Sequence, residues 1–325
     1  MTVARLDLTP AGTGPDPRLR SALEAGWKSG LDRGVLAYDP LEVEVFEVPP
    51  LRFYCLPGRE TRPRIAPPLG ESHSLRRPHT ACPFDGGEFI KRREVLRARR
   101  GNRLYHLTIN KFPVMPLHFL AVRPADDPAE SLPQRLQGPG EIEDMMLLAE
   151  RLGPPYHFFF NSNQGADGSR SGSSVNHWHF QIFPDEHLVT RRPPEILGRE
   201  GGVETGRIAD WPACHRLRIS KDAQALAEEV WKDVQRVDAA DRAYNLQLTP
   251  RKEGDLLAVL FPRAPVGDEI LPGGLTVSGD FGGFELTGGV ALSSREVFGW
   301  VKAHPGEAKA LIFERMARST REPAG

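Results

Sequence analysis

Apolar and polar residues alternate most regularly between residues 177 and 183, where Trp178, Phe180 and Ile182 interleave with His177, His179 and Gln181. Alternate side chains of a β-strand share a face, so this pattern predicts a strand with three apolar residues on a core and three polar ones opposite. The same reading predicts strands at 43–48 and 51–56, broken by Pro49 and Pro50, and at 103–109 and 118–122, joined by the turn NKFPVMP. Further strands are expected at 156–161, 243–249, 256–262 and 289–292. Helical spacing appears at 19–29, at 142–152 before Gly153-Pro154-Pro155, and at 221–237, where Ala223, Leu226, Val230 and Val234 recur on one face. Helices are also expected at 293–303 and 307–318, and the Pro-, Gly- and Thr-rich residues 1–16 are expected to be weakly ordered. Residues 57–87 are dense in Pro, Gly and Arg and read as a long irregular section, of a length that is usually functional or disordered.

A weak echo links the halves. Tyr156–Asn161 leading to Phe180–Pro184 parallels Tyr244–Thr249 leading to Ala258–Pro262, with Leu257 falling where the first copy has His179. That pattern suits a duplicated module with one active and one degenerate copy. The expected division is a flexible segment over 1–16, a catalytic half over 17–200 and a degenerate half over 201–325.

Composition narrows the class. In 325 residues, 42 Lys and Arg face 43 Asp and Glu, so no global charge favours nucleic acid or a membrane. Basic residues do gather at Lys91, Arg92, Arg93, Arg97, Arg99 and Arg100, which reads as a solvated helix face in preference to a polyphosphate patch. Three separated cysteines suggest no disulfide framework and a reducing compartment. The opening MTVARLDLTPAG has no apolar signal region, and no apolar run approaches ~18 residues, so a soluble cytoplasmic protein is expected.

The chemistry concentrates around the alternating segment. An imidazole at His179 can attack phosphorus and leave again, splitting one displacement into two. Its second ring nitrogen needs an acceptor to fix the tautomer, and a backbone carbonyl would serve. Gln181, on the same face, can donate to a non-bridging oxygen as charge builds, and His177 can orient a phosphate or bind a metal. Upstream, Ser171, Gly172, Ser173 and Ser174 offer backbone N–H groups and hydroxyls suited to wrapping a phosphate. Asn110, Lys111 and Phe112 could meet a ribose, phosphate and base, although an ordinary Pro-containing turn would look the same. His79 and Cys82 have the spacing of half a metal site, which His177 and Asp126 or Asp127 could complete as zinc ligands; no cofactor is otherwise required.

NKFPVMPLHFLAV (110–122), FFFNSN (158–163) and SGSSVNHWHFQIFP (171–184) resemble the histidine-triad superfamily. The resemblance is to the branch with galactose-1-phosphate uridylyltransferase, diadenosine tetraphosphate phosphorylase and the GDP-hexose phosphorylases. It implies a mixed α+β fold of HIT-like type, an antiparallel sheet with flanking helices, present twice in the chain. It further implies that His179 takes a nucleoside monophosphate between His177 and Gln181. Gly172 and Ser174 would hold the α-phosphate, Asn161 would touch substrate, and Asn110, Lys111 and Phe112 would face the nucleotide. The Cys-x-x-Cys pair usual in the uridylyltransferases is absent. The activity so implied is a phosphorylase-type nucleotidyl transfer from a nucleotide sugar or dinucleoside polyphosphate to phosphate or a sugar phosphate. The alternatives are a nucleotide hydrolase, disfavoured by Gln181 where hydrolases carry a third histidine, and a nucleotide-binding regulator, which would need no nucleophile.

Overall fold

The computed structural model describes residues 3–9, 14–61, 84, 87–124, 132–173, 175–267, 269–270, 276–277 and 281–323. The chain opens with β1 (Ala4–Asp7), α1 (Pro17–Asp32) and the hairpin β2 (Glu44–Val48) and β3 (Leu51–Cys55). Then α2 (Gly87–Arg93) runs directly into β4 (Glu94–Arg100), followed by β5 (Arg103–Ile109), β6 (Phe119–Val122), α3 (Pro139–Leu152), β7 (Tyr156–Asn161) and β8 (His179–Pro184). Next come β9 (Glu195–Glu200), β10 (Val203–Arg207), β11 (Arg216–Ser220), α4 (Ala223–Ala239), β12 (Tyr244–Pro250) and β13 (Leu256–Pro262). The short pair β14 (Glu269–Ile270) and β15 (Thr276–Val277), then α5 (Gly283–Leu286), β16 (Gly289–Leu292), α6 (Arg295–Ala303) and α7 (Pro305–Ser319), complete the series.

The helices start where polar caps allow. Asp222 accepts the N–H groups of Gln224 and Ala225 at the head of α4, and Asp16 accepts that of Arg18 before Pro17 opens α1. α3 begins with a proline in its first turn and ends at Gly153, whose φ of 63° lies in the left-handed region.

Eleven strands form one sheet in the order β1-β4-β5-β6-β8-β7-β12-β13-β11-β10-β9. The strands β4 to β8 and β9 to β13 pair in the same sequence from the two outer flanks inward, and β7 meets β12 antiparallel at the middle. A helix joins the third and fourth strand of each set, α3 in one and α4 in the other, and the two helices pack together. Registers repeat as well: Tyr156 pairs with Pro184 as Tyr244 pairs with Pro262, and His179 sits across from Val122 as Leu257 sits across from Ile219.

The two sheet faces have different fates. Under α3 and α4 lies the main core, which includes Trp178, Phe180 and Ile182 from the alternating segment together with Phe158, Phe160, Leu246 and Leu260. Trp178 and Phe180 each remove roughly 150–250 Å² from water, about 4–6 kcal/mol apiece on area bookkeeping taken as an upper bound. On the opposite face, Leu257, Val259 and Phe261 of β13 are covered by a second core. Its lid is the three-stranded sheet β16-β3-β2 with α6 and α7.

Several expectations are corrected here. The basic run is not one helix face: Arg97, Arg99 and Arg100 lie on β4, because Val95, Leu96 and Ala98 are pulled into a core. The first sixteen residues include β1, which adds in parallel to β4. β9 pairs with β10, and β3 pairs in parallel with β16 from the far end of the chain. Among the described residues no helix is long and apolar enough to cross a membrane.

Candidate active site

β8 begins at His179, and the segment before it is fixed at both flanks. Trp178 donates its backbone N–H to Leu132 (3.0 Å) and its indole Nε1–H to Glu141 Oε2 of α3 (3.1 Å). Burial pushes the Glu141 carboxyl up, while Arg123, which forms an ion pair with it, works the other way. With Trp178 anchored in the core, His177 and His179 are committed to the other face, where both rings pack against Phe84 at 5.6 and 5.3 Å.

His179 is buried, and its Nδ1 lies 2.8 Å from the carbonyl oxygen of His177. Only a protonated Nδ1 makes that hydrogen bond, so the lone pair of the neutral ring resides on Nε2. The backbone of His179 is held by Gln134: Nε2 of Gln134 donates to the His179 carbonyl and Oε1 accepts its N–H, both at 2.8 Å. His177 is also buried, with Nε2 2.9 Å from the carbonyl of Arg123.

Gln181 lies two residues further along the same face, in register with Leu120 on one side and Phe159 on the other. It is partly exposed, and among the described residues its carboxamide makes no hydrogen bond. Asn161 is buried at the end of β7; its Oδ1 accepts from Asn245 Nδ2 (2.8 Å) and from the Gly283 N–H (3.0 Å). The close approach of α5 needs Gly283, since a Cβ there would stand 2.8 Å from the Phe159 ring. Beside it, Gly282 N–H donates to Glu285 Oε2 (2.9 Å), and burial raises the Glu285 pKa against the pull of Arg59.

The loop between β7 and β8 is less open than its composition suggests. Ser171 Oγ donates to the carbonyl of Ser162 and Ser173 Oγ to that of Val175 (3.0 Å), so both hydroxyls are used inside the protein. Gly172 has φ of 77°, which glycine adopts without strain, and its backbone N–H finds no acceptor among the described residues. Ser174 lies outside the described residues, as do His79, Cys82, Asp126 and Asp127. Among the described residues no three His, Cys, Asp or Glu side chains gather as metal ligands.

The turn 110–118 has its own logic. Asn110 Oδ1 accepts the Phe112 N–H (3.0 Å), and its Nδ2 is 3.0 Å from His118 Nε2. His118 is buried, accepts the Val114 N–H at Nδ1 (3.1 Å), and packs on Phe183 with centroids 4.8 Å apart. Lys111 is exposed with its ammonium 5.3 Å from the Phe112 ring centroid. Since Phe183 stands four residues beyond His179 on β8, this turn sits at the other end of the same strand face, roughly 13 Å along.

Sequence reasoning missed Gln134, Asn245, Phe84 and Glu285. The first two act through backbone groups distant in the chain and carry no motif; Phe84 and Glu285 stand in segments that read as irregular.

This architecture is shared with solved structures. The chain superimposes on yeast Ap4A phosphorylase Apa2 in complex with AMP with a TM-score of 0.64 and 16% identity, covering 96% of this chain and 99% of that one. The fold is that of the Ap4A phosphorylase. The same enzyme in complex with Ap4A gives a TM-score of 0.63 at 16% identity over 96% and 100% of the two chains, and without a named ligand 0.58 at 16% over 94% and 95%. No family model matches the sequence, and no curated protein matches it either. Likeness in three dimensions at this identity establishes the fold alone.

Proposed function

We propose that this protein is a phosphorylase-type nucleotidyltransferase that works through a covalent nucleotidyl-histidine at His179. One observation carries the reading: a buried histidine whose Nδ1–H is held by the His177 carbonyl, placing the lone pair on Nε2, at the start of a strand in an Ap4A phosphorylase fold. The Apa2 structures in complex with AMP and Ap4A support nucleotides as the ligands. A dinucleoside polyphosphate is therefore the first substrate to test, with a nucleotide sugar second.

In the first step Nε2 of His179 attacks the α-phosphorus. A P–N bond forms, the bridging P–O bond breaks, and the remaining nucleoside polyphosphate (the triphosphate from Ap4A) or the sugar phosphate leaves with the bonding electrons. Nε2 has no proton to lose, and Nδ1–H stays on the His177 carbonyl, which stabilises the cationic ring that results. Gln181 donates to a non-bridging oxygen as negative charge rises. The Gly172 N–H supplies a second donor to the phosphate. In the second step an oxygen of inorganic phosphate attacks the same phosphorus, the P–N bond breaks, and a nucleoside diphosphate forms. Asn161 bounds the site beside α5, and Asn110, Lys111 and Phe112 bound it at the Phe183 end. The matching strand order and registers of the two halves support a duplicated module, with Leu257 where the active copy has His179.

The test is to incubate the protein with α-labelled Ap4A, quench in base, and seek an acid-labile adduct. Label on the native protein and none on His179→Ala supports the reading. An unlabelled native protein that still binds the nucleotide would count for a binding role instead. Added phosphate yields a nucleoside diphosphate from a phosphorylase, whereas a hydrolase releases the monophosphate regardless.

A further inference from the structure

The loop that precedes the histidine strand is held by the half of the chain that carries Leu257 where the first half carries His179. Ala243 and the first two residues of β12 meet it. Ala243 N–H donates to Ser169 Oγ (2.9 Å), Tyr244 N–H to Ser162 Oγ (2.8 Å), and the side chain of Asn245 donates to the Ser171 carbonyl (2.7 Å). The approach is as close as backbone allows, because a Cβ on Gly165 would lie 2.8 Å from Ala243 N. Asn245 also donates to Asn161 Oδ1, so one fully buried amide touches both the loop and the end of β7.

The orientation of that amide is determined chemically. Arg263, also buried, places Nη1 3.4 Å from Asn245 Oδ1. A guanidinium only donates, so the Asn245 oxygen faces it and both N–H hydrogens turn toward Ser171 and Asn161. In a trans peptide the C=O and the following N–H point in opposite directions. Holding the Ser171 carbonyl against Asn245 therefore turns the Gly172 N–H away from the second half, and no described residue accepts from it.

We propose that Asn245, oriented by Arg263, is a positioning residue that sets the Ser171–Gly172 peptide for phosphate binding. The second half of the chain thereby serves the chemistry of the first as a platform for its loop. This rests on the nucleotidyl-transfer reading above. A hydrogen bond that aims a donor at bound phosphate affects how tightly the nucleotide is held, while His179 and its tautomer stay as they are.

The experiment compares the native protein with Asn245→Ala, using Ap4A with phosphate for steady-state rates, AMP for affinity by calorimetry, and amide exchange across residues 163–173. Expected for Asn245→Ala are a KM for Ap4A and a Kd for AMP raised about tenfold, with kcat within about threefold. Faster exchange in the loop should accompany them. A folded Asn245→Ala with unchanged KM and Kd overturns the proposal, and so does a loss confined to kcat. If Asn245→Ala does not fold, Asn245→Asp decides, because it keeps the size and the oxygen facing Arg263 but loses the hydrogens donated to Ser171 and Asn161. Expected there is the same rise in KM and Kd of about tenfold, and no change overturns the proposal. Absence of any adduct on the native protein would sink the nucleotidyl-transfer reading, while AMP affinity and loop exchange would still judge Asn245.

Discussion

The side-chain amide of Gln134 replaces a strand beside His179, donating to its carbonyl and accepting its N–H at 2.8 Å each. β7 pairs with β8 only as far as Phe159 opposite Gln181, so the edge of His179 on that side would otherwise lack a partner. The peptide groups of a nucleophile are thus fixed by a carboxamide of the same hydrogen-bonding pattern as a peptide. Gln134→Glu keeps the size and the acceptor but loses the donor to the His179 carbonyl. We expect adduct formation in a single turnover to slow by about 10- to 100-fold, since a shift near 1 Å at a reacting group costs about that much. AMP affinity should stay within about threefold of native, because the phosphate loop is untouched. An unchanged single-turnover rate would show that the clamp does not set the imidazole.

Gln181 is the other polar group on that strand face, and among the described residues nothing occupies its amide. Gln181→Ala should lower kcat by about 10²- to 10³-fold, the usual effect of removing one donor from a developing oxyanion. Gln181→Glu should be at least as slow, since a carboxylate has no hydrogen to offer and repels the phosphate. Rapid-quench measurement of the adduct separates this from product release. Equal rates for native and Gln181→Ala in the first step would remove Gln181 from the chemistry.

The histidine strand was legible because Trp178, Phe180 and Ile182 all enter one core, which commits the polar residues between them to the other face. β4 was not, because α2 passes into it at Glu94 without a breaking residue and the arginines hide the alternation of Leu96 and Ala98. β9 carries no burial pattern at all; each of its six residues is exposed. In the site, His179 and Gln181 could be read from chemistry and spacing. Gln134 and Asn245 could not, since they bond groups 45 and 74 residues away and do so through main-chain atoms that any residue would present. The serines show a subtler limit: Ser171 and Ser173 stand in a loop of the expected kind, yet their hydroxyls bond to neighbouring carbonyls.

His157 gives the protein an acid-sensitive element near the site. It is buried on β7, within hydrogen-bonding distance of Thr249 Oγ1 (3.0 Å), Gln247 Nε2 (2.7 Å) and the Asp185 carbonyl (2.7 Å). Burial, with the charge of Arg191 added, holds its pKa well below the usual histidine value. Below about pH 6.5 the unfolded chain binds a proton at this residue and the folded chain does not, so unfolding is favoured as pH falls. The contribution of His157 is complete above that range and is lost progressively beneath it. Melting temperature should therefore drop between pH 7 and pH 5, and His157→Gln should show a shallower drop over the same range. Identical slopes for the two proteins would assign the acid sensitivity elsewhere.

Leu257 stands across from Ile219 on a strand ending at Pro262, as His179 stands across from Val122 on a strand ending at Pro184, and its surroundings suit leucine rather than histidine. It is 1% exposed and sits in an apolar layer under β3, β16 and the last two helices, whereas the His179 ring packs on Phe84 and bonds the His177 carbonyl. An imidazole at that point would lose the packing of leucine and have two ring nitrogens to satisfy in a dry environment. Leu257→His should destabilise the fold by about 2–4 kcal/mol. It should not create a second centre, because no phosphate can reach a face that is already covered. Thermal unfolding measures the first expectation. For the second, the double variant His179→Ala with Leu257→His should take no label from α-labelled Ap4A, and a labelled double variant would mean that the second half opens to nucleotide after all.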